Sequence, residues 1–398
     1  MKVCFETFGC RLNKAEALQM EANYLAANWT VTTKHSDADL IIVRGCSVTS
    51  HAQHECERLI AHLRRHYPHT PIKACGCLPN RSSFTALPAA LTEKAVPTRT
   101  ARAYLKVQDG CAGKCTFCIV PKYRGESKSE DFTALVDRAK RFIDAGYHEI
   151  VVTGCNLSLY ASQGKRLPDL LAALAELTPA TSESFNSSTC EFSSCRIRLG
   201  SVEPGACALE TIQAMASHPN VCRFLHLPVQ SGSSSMLRAM CRPYTVKDVE
   251  EAASLAKKLM PTIGLGCDMM TGFPGETNLD FSATKTLLSR LPFSNAHIFP
   301  YSQRPGTPAA DFPGLLPRGI RSARAHDLGE IIRLKRKAFA NTFAGKTVEI
   351  LVEDERHGQG WTGEYLPCRI IGSNSTRKSL VRVRITKIEE EQLLGLPR

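Results

Sequence analysis

The chain has 398 residues, 43% of them hydrophobic and 22% charged, with a formal net charge of +12. That length exceeds one ordinary core and sets an expectation of two or three domains, in a composition typical of soluble globular proteins. The longest apolar runs are too short to cross a bilayer, and Met1 to Glu6 lacks the charged-then-apolar order of a signal peptide, so no membrane contact and a cytoplasmic location are expected.

From the amino terminus, residues 2–8 read as a strand, followed by a loop with Cys10 at its turn and Asn13 placed to cap a helix beginning near Lys14. A buried strand from Leu40 to Val43 then ends at Cys46 and runs into a helix whose polar face carries Arg58, Arg64 and Arg65. A third, short strand precedes Cys77. A lone cysteine after a strand is ordinarily a packing residue. Cys10, Cys46 and Cys77 all occupy the carboxyl end of a strand, where open α/β sheets gather ligands, so they are candidates to converge on one sheet edge. Cys75, two residues before Cys77, is not expected to join them.

Residues 81–102, rich in Ser, Thr, Pro and Ala, lead to the stretch QDGCAGKCTFCIVPKYRG. Here Cys111, Cys115 and Cys118 stand at a Cys-x3-Cys-x2-Cys spacing on a short loop. Three thiolates grip one soft metal centre, and a cubane iron–sulfur cluster held by three leaves one iron open to a substrate. A structural zinc knuckle is the alternative, but it needs a fourth ligand nearby. The nearest downstream candidates, His148 and Cys155, are 30 or more positions away. Lys122 and Arg124 are placed either to position phosphate or carboxylate groups or to be solvated. Residues 94–128 carry eight Lys or Arg against two acids, and residues 318–338 seven against two. Such runs suit a polyanionic partner and equally a solvated helix face. Seventeen cysteines in a reducing compartment also point to metal or redox chemistry more than to disulfides.

Beyond Ala103 short apolar strands alternate with amphipathic helices, the order of a parallel sheet or barrel. Strands are expected at 103–108, 149–154, 197–202, 222–227, 262–268 and 295–300, each followed by polar or Gly-rich residues. Those loops hold the cysteine triad, Gly154 and Asn156, Glu203, Gln230, Gly272 to Glu276, and Tyr301 with Arg304, and in α/β barrels they open on one face. Six repeats are fewer than the eight of a closed barrel, which leaves a lateral gap suited to a bulky substrate. Residues 181–196 read as a flexible Ser-rich insertion whose Cys190 and Cys195 are expected as exposed thiols and not as ligands. After the basic helix, three strand-like stretches from residue 345 onward are enough for a small antiparallel β-barrel, with Arg382 and Arg384 on one face. Trp361 and Tyr365 are placed to stack on bases or, more commonly, to pack in a core.

CTFCIVPKYRG, with Phe117 before the third cysteine, resembles the signature of the radical S-adenosylmethionine enzymes. TFGCRLNKAEA, RGCSVTSHA and CGCLPN resemble the amino-terminal cluster domain of the methylthiotransferases. VTGCNLSLY, RLGSVEP, HLPVQSGS, MTGFPGET and YSQRPGTPAA resemble stations of their barrel, so the likeness covers nearly the whole chain. The Cys-Arg-Leu-Asn and Cys-Ser-Val-Thr segments are most similar to the branch acting on N6-threonylcarbamoyladenosine in transfer RNA. One departure is the 33 residues between Cys77 and Cys111, shorter than the family pattern.

The resemblance implies an α/β fold with three parts. These are a shortened amino-terminal cluster domain (1–100), a partial (β/α)6 radical-SAM barrel (101–340) and a TRAM-like RNA-binding β-domain (341–398). It implies two [4Fe–4S] clusters, one on Cys10, Cys46 and Cys77 and one on Cys111, Cys115 and Cys118, the latter generating a radical from S-adenosylmethionine. Phe117, Gly154, Asn156, Glu203, Gln230 and Gly272 are implied to lie against that cofactor. The expected reaction inserts a methylthio group at C2 of N6-threonylcarbamoyladenosine. Its partners would be the tRNA anticodon stem-loop and a reductant such as flavodoxin or ferredoxin, and a monomer is expected. Isopentenyladenosine or a ribosomal-protein aspartate is the alternative target, and a zinc-containing RNA-binding protein the alternative class.

Overall fold

The computed structural model describes residues 1–79, 96–97, 99–178, 195–372 and 375–398. Most of the connection between Cys77 and Cys111 lies outside them, as do the Ser-rich stretch up to residue 194 and Cys190.

β1 (Lys2–Thr7) leads into α1 (Arg11–Ala26), then come β2 (Thr30–Thr32), β3 (Leu40–Gly45), α2 (Ser50–His66) and β4 (Ile72–Gly76). The strands pair in parallel in the order β2-β1-β3-β4. Ile41 and Val43 pack toward Leu63 of α2, while Ile42 packs toward Tyr24 of α1, so β3 is buried on both faces and reads as a continuous apolar run. The edge strand β2, only Thr-Val-Thr, carries no such run and escaped the sequence reading. Asn13 does not cap α1 as expected. The helix starts at Arg11 with Cys10 at its N-cap, and Asn13 is fully buried, its Nδ2 donating to the Phe8 and Gly45 carbonyls at 2.8 Å each. A buried amide that satisfies two loop carbonyls ties Cys10's turn to Cys46's.

The barrel begins with β5 (Ala103–Lys106) and β6 (Gln108–Asp109). After the cysteine loop come α3 (Val120–Arg124), β7 (Lys128–Ser129), α4 (Phe132–Asp144), β8 (Glu149–Thr153), a hairpin of β9 (Ala161–Ser162) and β10 (Lys165–Arg166), and α5 (Leu167–Glu176). They are followed by β11 (Arg196–Leu199), α6 (Ala206–Ser217), β12 (Phe224–Gln230), α7 (Ser234–Ala239), α8 (Val246–Leu259), β13 (Gly264–Thr271), α9 (Asn278–Arg290), β14 (Asn295–Pro300) and α10 (Arg318–Asn341). All six expected strands are present. Two parallel ladders, β11-β8-β5 and β12-β13-β14, join through the bridges Ile197–Val221 and Ser201–His226. The order β5-β8-β11-β12-β13-β14 is therefore continuous and open, as the repeat number required.

Alternate residues of these strands, among them Leu105, Val152, Leu199, Leu227, Leu265 and Met269, join α4, α5, α6, α8 and α9 in the largest core. The remaining residues face the interior. α1 packs along β5, with Lys14 5.2 Å from the Tyr104 ring and Arg99 paired to Glu21 at 3.2 Å. Cys195, expected on an exposed insertion, is 1% accessible, because it immediately precedes β11 and packs in the main core.

The carboxyl-terminal strands β15 (Thr347–Asp354), β16 (Gln359–Thr362), β17 (Pro367–Ile370), β18 (Leu380–Glu389) and β19 (Gln392–Pro397) close into a barrel in the order β15-β16-β17-β19-β18. The sequence reading merged β16 with β17 and missed β19. It also expected an antiparallel barrel, whereas β17 and β19 pair in parallel. The reason is topological, since a ring of five strands cannot alternate direction throughout. Arg382 and Arg384 do share the outward face of β18. Trp361 stacks on Tyr365 and Tyr365 on Phe224, each at 4.7 Å, so these rings pack against the large barrel. Arg11 and Arg198 approach Tyr365 at 5.3 and 5.4 Å, bringing all three parts of the chain to one ring.

Beneath that ring lies fully buried Glu149, ion-paired with Arg196 at 2.7 Å, Arg198 at 2.8 Å and Arg102 at 2.6 Å. Arg196 and Arg198 continue to the carbonyls of Glu349, Trp361, Thr362 and Gly363, and so fasten the small barrel to the large one.

Candidate active site

Each cysteine of the first triad sits one to three residues past a strand. Cys10 follows β1, Cys46 directly follows β3 and Cys77 directly follows β4, three neighbouring strands of one parallel sheet. Parallel pairing puts their carboxyl ends on the same edge. Gly9 has φ +94°, and a Cβ there would stand 2.7 Å from that of Cys46, so only glycine lets the Cys10 turn approach. The Cys77 amide donates to the Gly45 carbonyl at 3.1 Å, fixing the third loop to the second. Burial, and to a lesser degree the neighbouring thiols, push the Cys46 thiol up to about 11 against the hydrogen bond from the Val48 backbone. Cys75 lies within β4 and packs with Tyr24 and Ile42, where its Sγ accepts from Arg44 Nη1 at 3.6 Å.

The second triad occupies the loop closed by the β6–β7 pair. Gly113 leaves a cradle between two of its sulfurs, since a Cβ there would lie 3.2 Å from Cys111 Sγ and 3.8 Å from Cys115 Sγ. Burial and the two companion thiols push Cys118 up to about 11. Thiols so disfavoured as anions need a nearby positive charge to become thiolates, which a metal core supplies.

Two arginines connect the triads to the barrel: Arg124, expected either to meet carboxylate or phosphate groups or to be solvated, and Arg242, which the sequence did not single out. The Arg124 side chain, on α3, is only 7% accessible and meets carboxylates rather than solvent. Its Nε donates to Cys77 Sγ at 2.9 Å, Nη2 to Asn13 Oδ1 at 2.7 Å and Glu16 Oε2 at 3.0 Å, and Nη1 to Asp109 Oδ1 at 2.8 Å. Arg242 donates to Cys115 Sγ at 3.0 Å and to Glu203 Oε1 at 2.6 Å. Nothing in residue spacing marks either one, because their partners are distant in sequence. The one available signal was the placement of Arg124 just past the triad.

The strand-end residues gather around Arg242. Asn156 Nδ2 donates to Glu203 Oε2 at 2.8 Å, and the Asn156 amide donates to Gln108 Oε1 at 2.9 Å. Gln108 Nε2 in turn donates to the Gly110 carbonyl at 2.7 Å and Ser127 Oγ at 2.9 Å, shaping the loop that carries the triad. Gly154 packs closely against Gln108, where an added Cβ would stand 3.0 Å from Oε1 and 3.1 Å from the carbonyl oxygen. Gln230 ends β12 at φ +68°, a conformation costly for a non-glycine residue, and its buried Oε1 has no hydrogen-bond partner among the described residues. An orphaned acceptor on the rim fits a ligand that brings a donor. Phe117 lies against Met236, Met240, Met270, Phe273 and Tyr301. Gly272 is set apart, its amide donating to Glu276 Oε2 at 2.8 Å while Arg321 covers the side where a Cβ would stand.

Residues 105–288 match the Radical SAM superfamily and residues 2–96 the uncharacterized protein family UPF0004. The chain is 30% identical to the tRNA-2-methylthio-N(6)-dimethylallyladenosine synthase of Sulfurihydrogenibium sp., over 99% of each chain. It is 28% identical to the threonylcarbamoyladenosine tRNA methylthiotransferase MtaB of Bacillus subtilis, over 97% of this chain and 94% of the relative. Among solved structures, the radical S-adenosylmethionine methyltransferase TsrM of Kitasatospora setae shares the fold with a TM-score of 0.54 and 12% identity, over 78% of this chain and 75% of that one. With full-length relatives of both tRNA-modifying kinds, the chain belongs to the radical S-adenosylmethionine methylthiotransferase family.

Proposed function

We propose that this protein is a tRNA methylthiotransferase that replaces the C2 hydrogen of N6-threonylcarbamoyladenosine, next to the anticodon, with a methylthio group. The observation carrying this reading is the pair of cysteine triads on adjacent loop clusters, coupled through Arg124. Cys10, Cys46 and Cys77 would hold one [4Fe–4S] cluster, and Cys111, Cys115 and Cys118 the other. Held there, the second cluster would supply the electron for cleavage of S-adenosylmethionine to a 5'-deoxyadenosyl radical, and the first an open iron to hold the sulfide that is methylated and transferred.

The protein's own groups bind and orient. Glu203, fixed by Asn156 and Arg242, offers a carboxylate to amino or hydroxyl donors of S-adenosylmethionine, Gln230 Oε1 offers a second acceptor, and Phe117 an apolar wall. The open side between β5 and β14 suits entry of a folded RNA loop. The small carboxyl-terminal barrel, read as TRAM-like, would add RNA contacts through Arg382 and Arg384. The proposed domain limits are 1–100, 101–340 and 341–398. The enzyme would act in the cytoplasm as a monomer with a flavodoxin- or ferredoxin-like electron donor. Among the described residues no helix is long and apolar enough to cross a membrane.

Anaerobic reconstitution tests the cluster assignment. About eight irons per chain, falling to about four in a Cys111, Cys115, Cys118 triple-alanine variant, is the expected result. Incubation with S-adenosylmethionine, reductant and tRNA carrying either N6-threonylcarbamoyladenosine or isopentenyladenosine then tests the substrate by nucleoside mass spectrometry. A product on isopentenyladenosine alone would reassign it.

A further inference from the structure

Inside the barrel, away from both triads, three strands bring two imidazoles and a carboxylate together. His226 lies on β12, Asp268 on β13 and His297 on β14, the last two directly opposite each other in the ladder. Their β12 and β13 neighbours Leu225, Leu227, Leu265, Cys267 and Met269 face the helices in the main core, so His226 and Asp268 face the interior. His226 Nε2 is 3.0 Å and His297 Nδ1 3.2 Å from the same Asp268 oxygen, with the two rings 5.2 Å apart. All three ligand atoms lie within 4.8 Å of one another. Gly266 is the residue paired with His226, and a Cβ there would come within 2.7 Å of the ring, so glycine makes the room that lets the imidazole lie beside Asp268.

We infer that His226, Asp268 and His297 form a binding site for one divalent transition-metal ion inside the barrel, separate from the cysteine triads. Neighbouring ligands of an ion held at about 2.1 Å stand about 3.0 to 3.4 Å apart in octahedral or tetrahedral geometry, which the two nitrogen–oxygen distances match. Two neutral imidazoles and one carboxylate suit Mn(II), Fe(II) or Zn(II) and leave coordination positions open, as in facial triads. His226 precedes Gln230 by four residues on the same strand, so the site lies roughly 13 Å below the rim, at about 3.3 Å per residue. The burial gradient runs from His226, with 9% of its side chain accessible, to His297 with 66%, so the open positions are reachable from the side of edge strand β14. An oxygen-bearing group of an entering substrate is the chemical class such positions take.

Mn(II) is the probe of choice, because it prefers nitrogen and oxygen to the chain's many thiols. The reconstituted holoenzyme is titrated anaerobically with Mn(II), and free ion is read from its electron paramagnetic resonance signal. One Mn(II) per chain is expected to be withdrawn from solution by the wild type, with at least tenfold weaker binding in His297→Ala and Asp268→Asn, while iron content is unchanged. His297 is largely exposed, so its variant remains informative if substitution of Asp268 disturbs folding. Absence of stoichiometric Mn(II) uptake, or equal uptake by wild type and His297→Ala, overturns the proposal and leaves a hydrogen-bonded His–Asp–His group. Neither result depends on the tRNA substrate.

Discussion

Arg124 Nε and Cys77 Sγ, 47 residues apart in sequence, meet at 2.9 Å across the junction of the amino-terminal sheet and the barrel. The same guanidinium binds Glu16, Asn13 and Asp109, so one side chain holds the loops of both triads in register. Burial disfavours its charge, but Glu16, Cys77 and Asp109 overcome this and raise its pKa. Arg124→Lys keeps the charge and loses the planar fork. We expect it to retain S-adenosylmethionine cleavage, measured as 5'-deoxyadenosine, while tRNA methylthiolation falls at least tenfold. Equal loss of both products would show that Arg124 serves folding alone.

Arg242 makes the corresponding contact to Cys115. A cationic donor on a ligand sulfur stabilises the more negative, reduced form of a bound cluster. Arg242→Gln is therefore expected to lower that cluster's reduction potential and slow S-adenosylmethionine cleavage. Potentiometry followed by electron paramagnetic resonance measures the shift.

Gln230 should separate stability from cofactor binding. Its orphaned acceptor costs about 1–3 kcal/mol in the unliganded chain, so Gln230→Leu should unfold no more easily than wild type. The same change removes the acceptor offered to S-adenosylmethionine and should weaken its binding at least tenfold by calorimetry. Unaltered affinity would exclude Gln230 from the cofactor site.

Glu149 is expected to dominate acid stability at the junction of the two barrels. Burial raises its pKa, but Arg198, Arg196 and Arg102 more than reverse this and hold it well below the ordinary 4.5. Its stabilising contribution is therefore complete above about pH 4.5 and is lost progressively as the pH falls below that value. Glu149→Gln leaves buried guanidinium charge uncompensated and should destabilise the chain by about 3–5 kcal/mol at pH 7. Urea unfolding at pH 7 and pH 4 checks both statements, and the difference between wild type and variant should narrow at the lower pH.

Arg58, Arg64 and Arg65 lie exposed on α2, whose sheet also carries the first triad. If tRNA lies along this helix, each arginine that contacts a phosphate should account for a change of about 1 in the slope of log affinity against log salt. Binding by Arg58→Ala and Arg65→Ala across a salt series measures it. An unchanged slope would assign these side chains to solvent.

Much of the architecture was legible because its signals are local. The apolar runs at Leu40–Gly45 and Gly264–Thr271, with their Gly-rich or polar ends, marked strands, and six repeats required an open barrel. The strand-end positions of Cys10, Cys46 and Cys77 already implied convergence, because parallel strands share the direction of their ends. What escaped was non-local. Strand β2 lacks an apolar run, the parallel β17–β19 pair follows from closure of an odd ring, and Asn13 satisfies carbonyls in two different loops. Arg242 and Cys115 are 127 residues apart, and His226, Asp268 and His297 meet only because β12, β13 and β14 are neighbours in a particular register. Composition and periodicity determine which residues form elements and which face they bury. Which charge meets which sulfur, and which imidazoles share a carboxylate, was decided only by the packing order of those elements, since a hydrogen bond requires contact at about 3 Å.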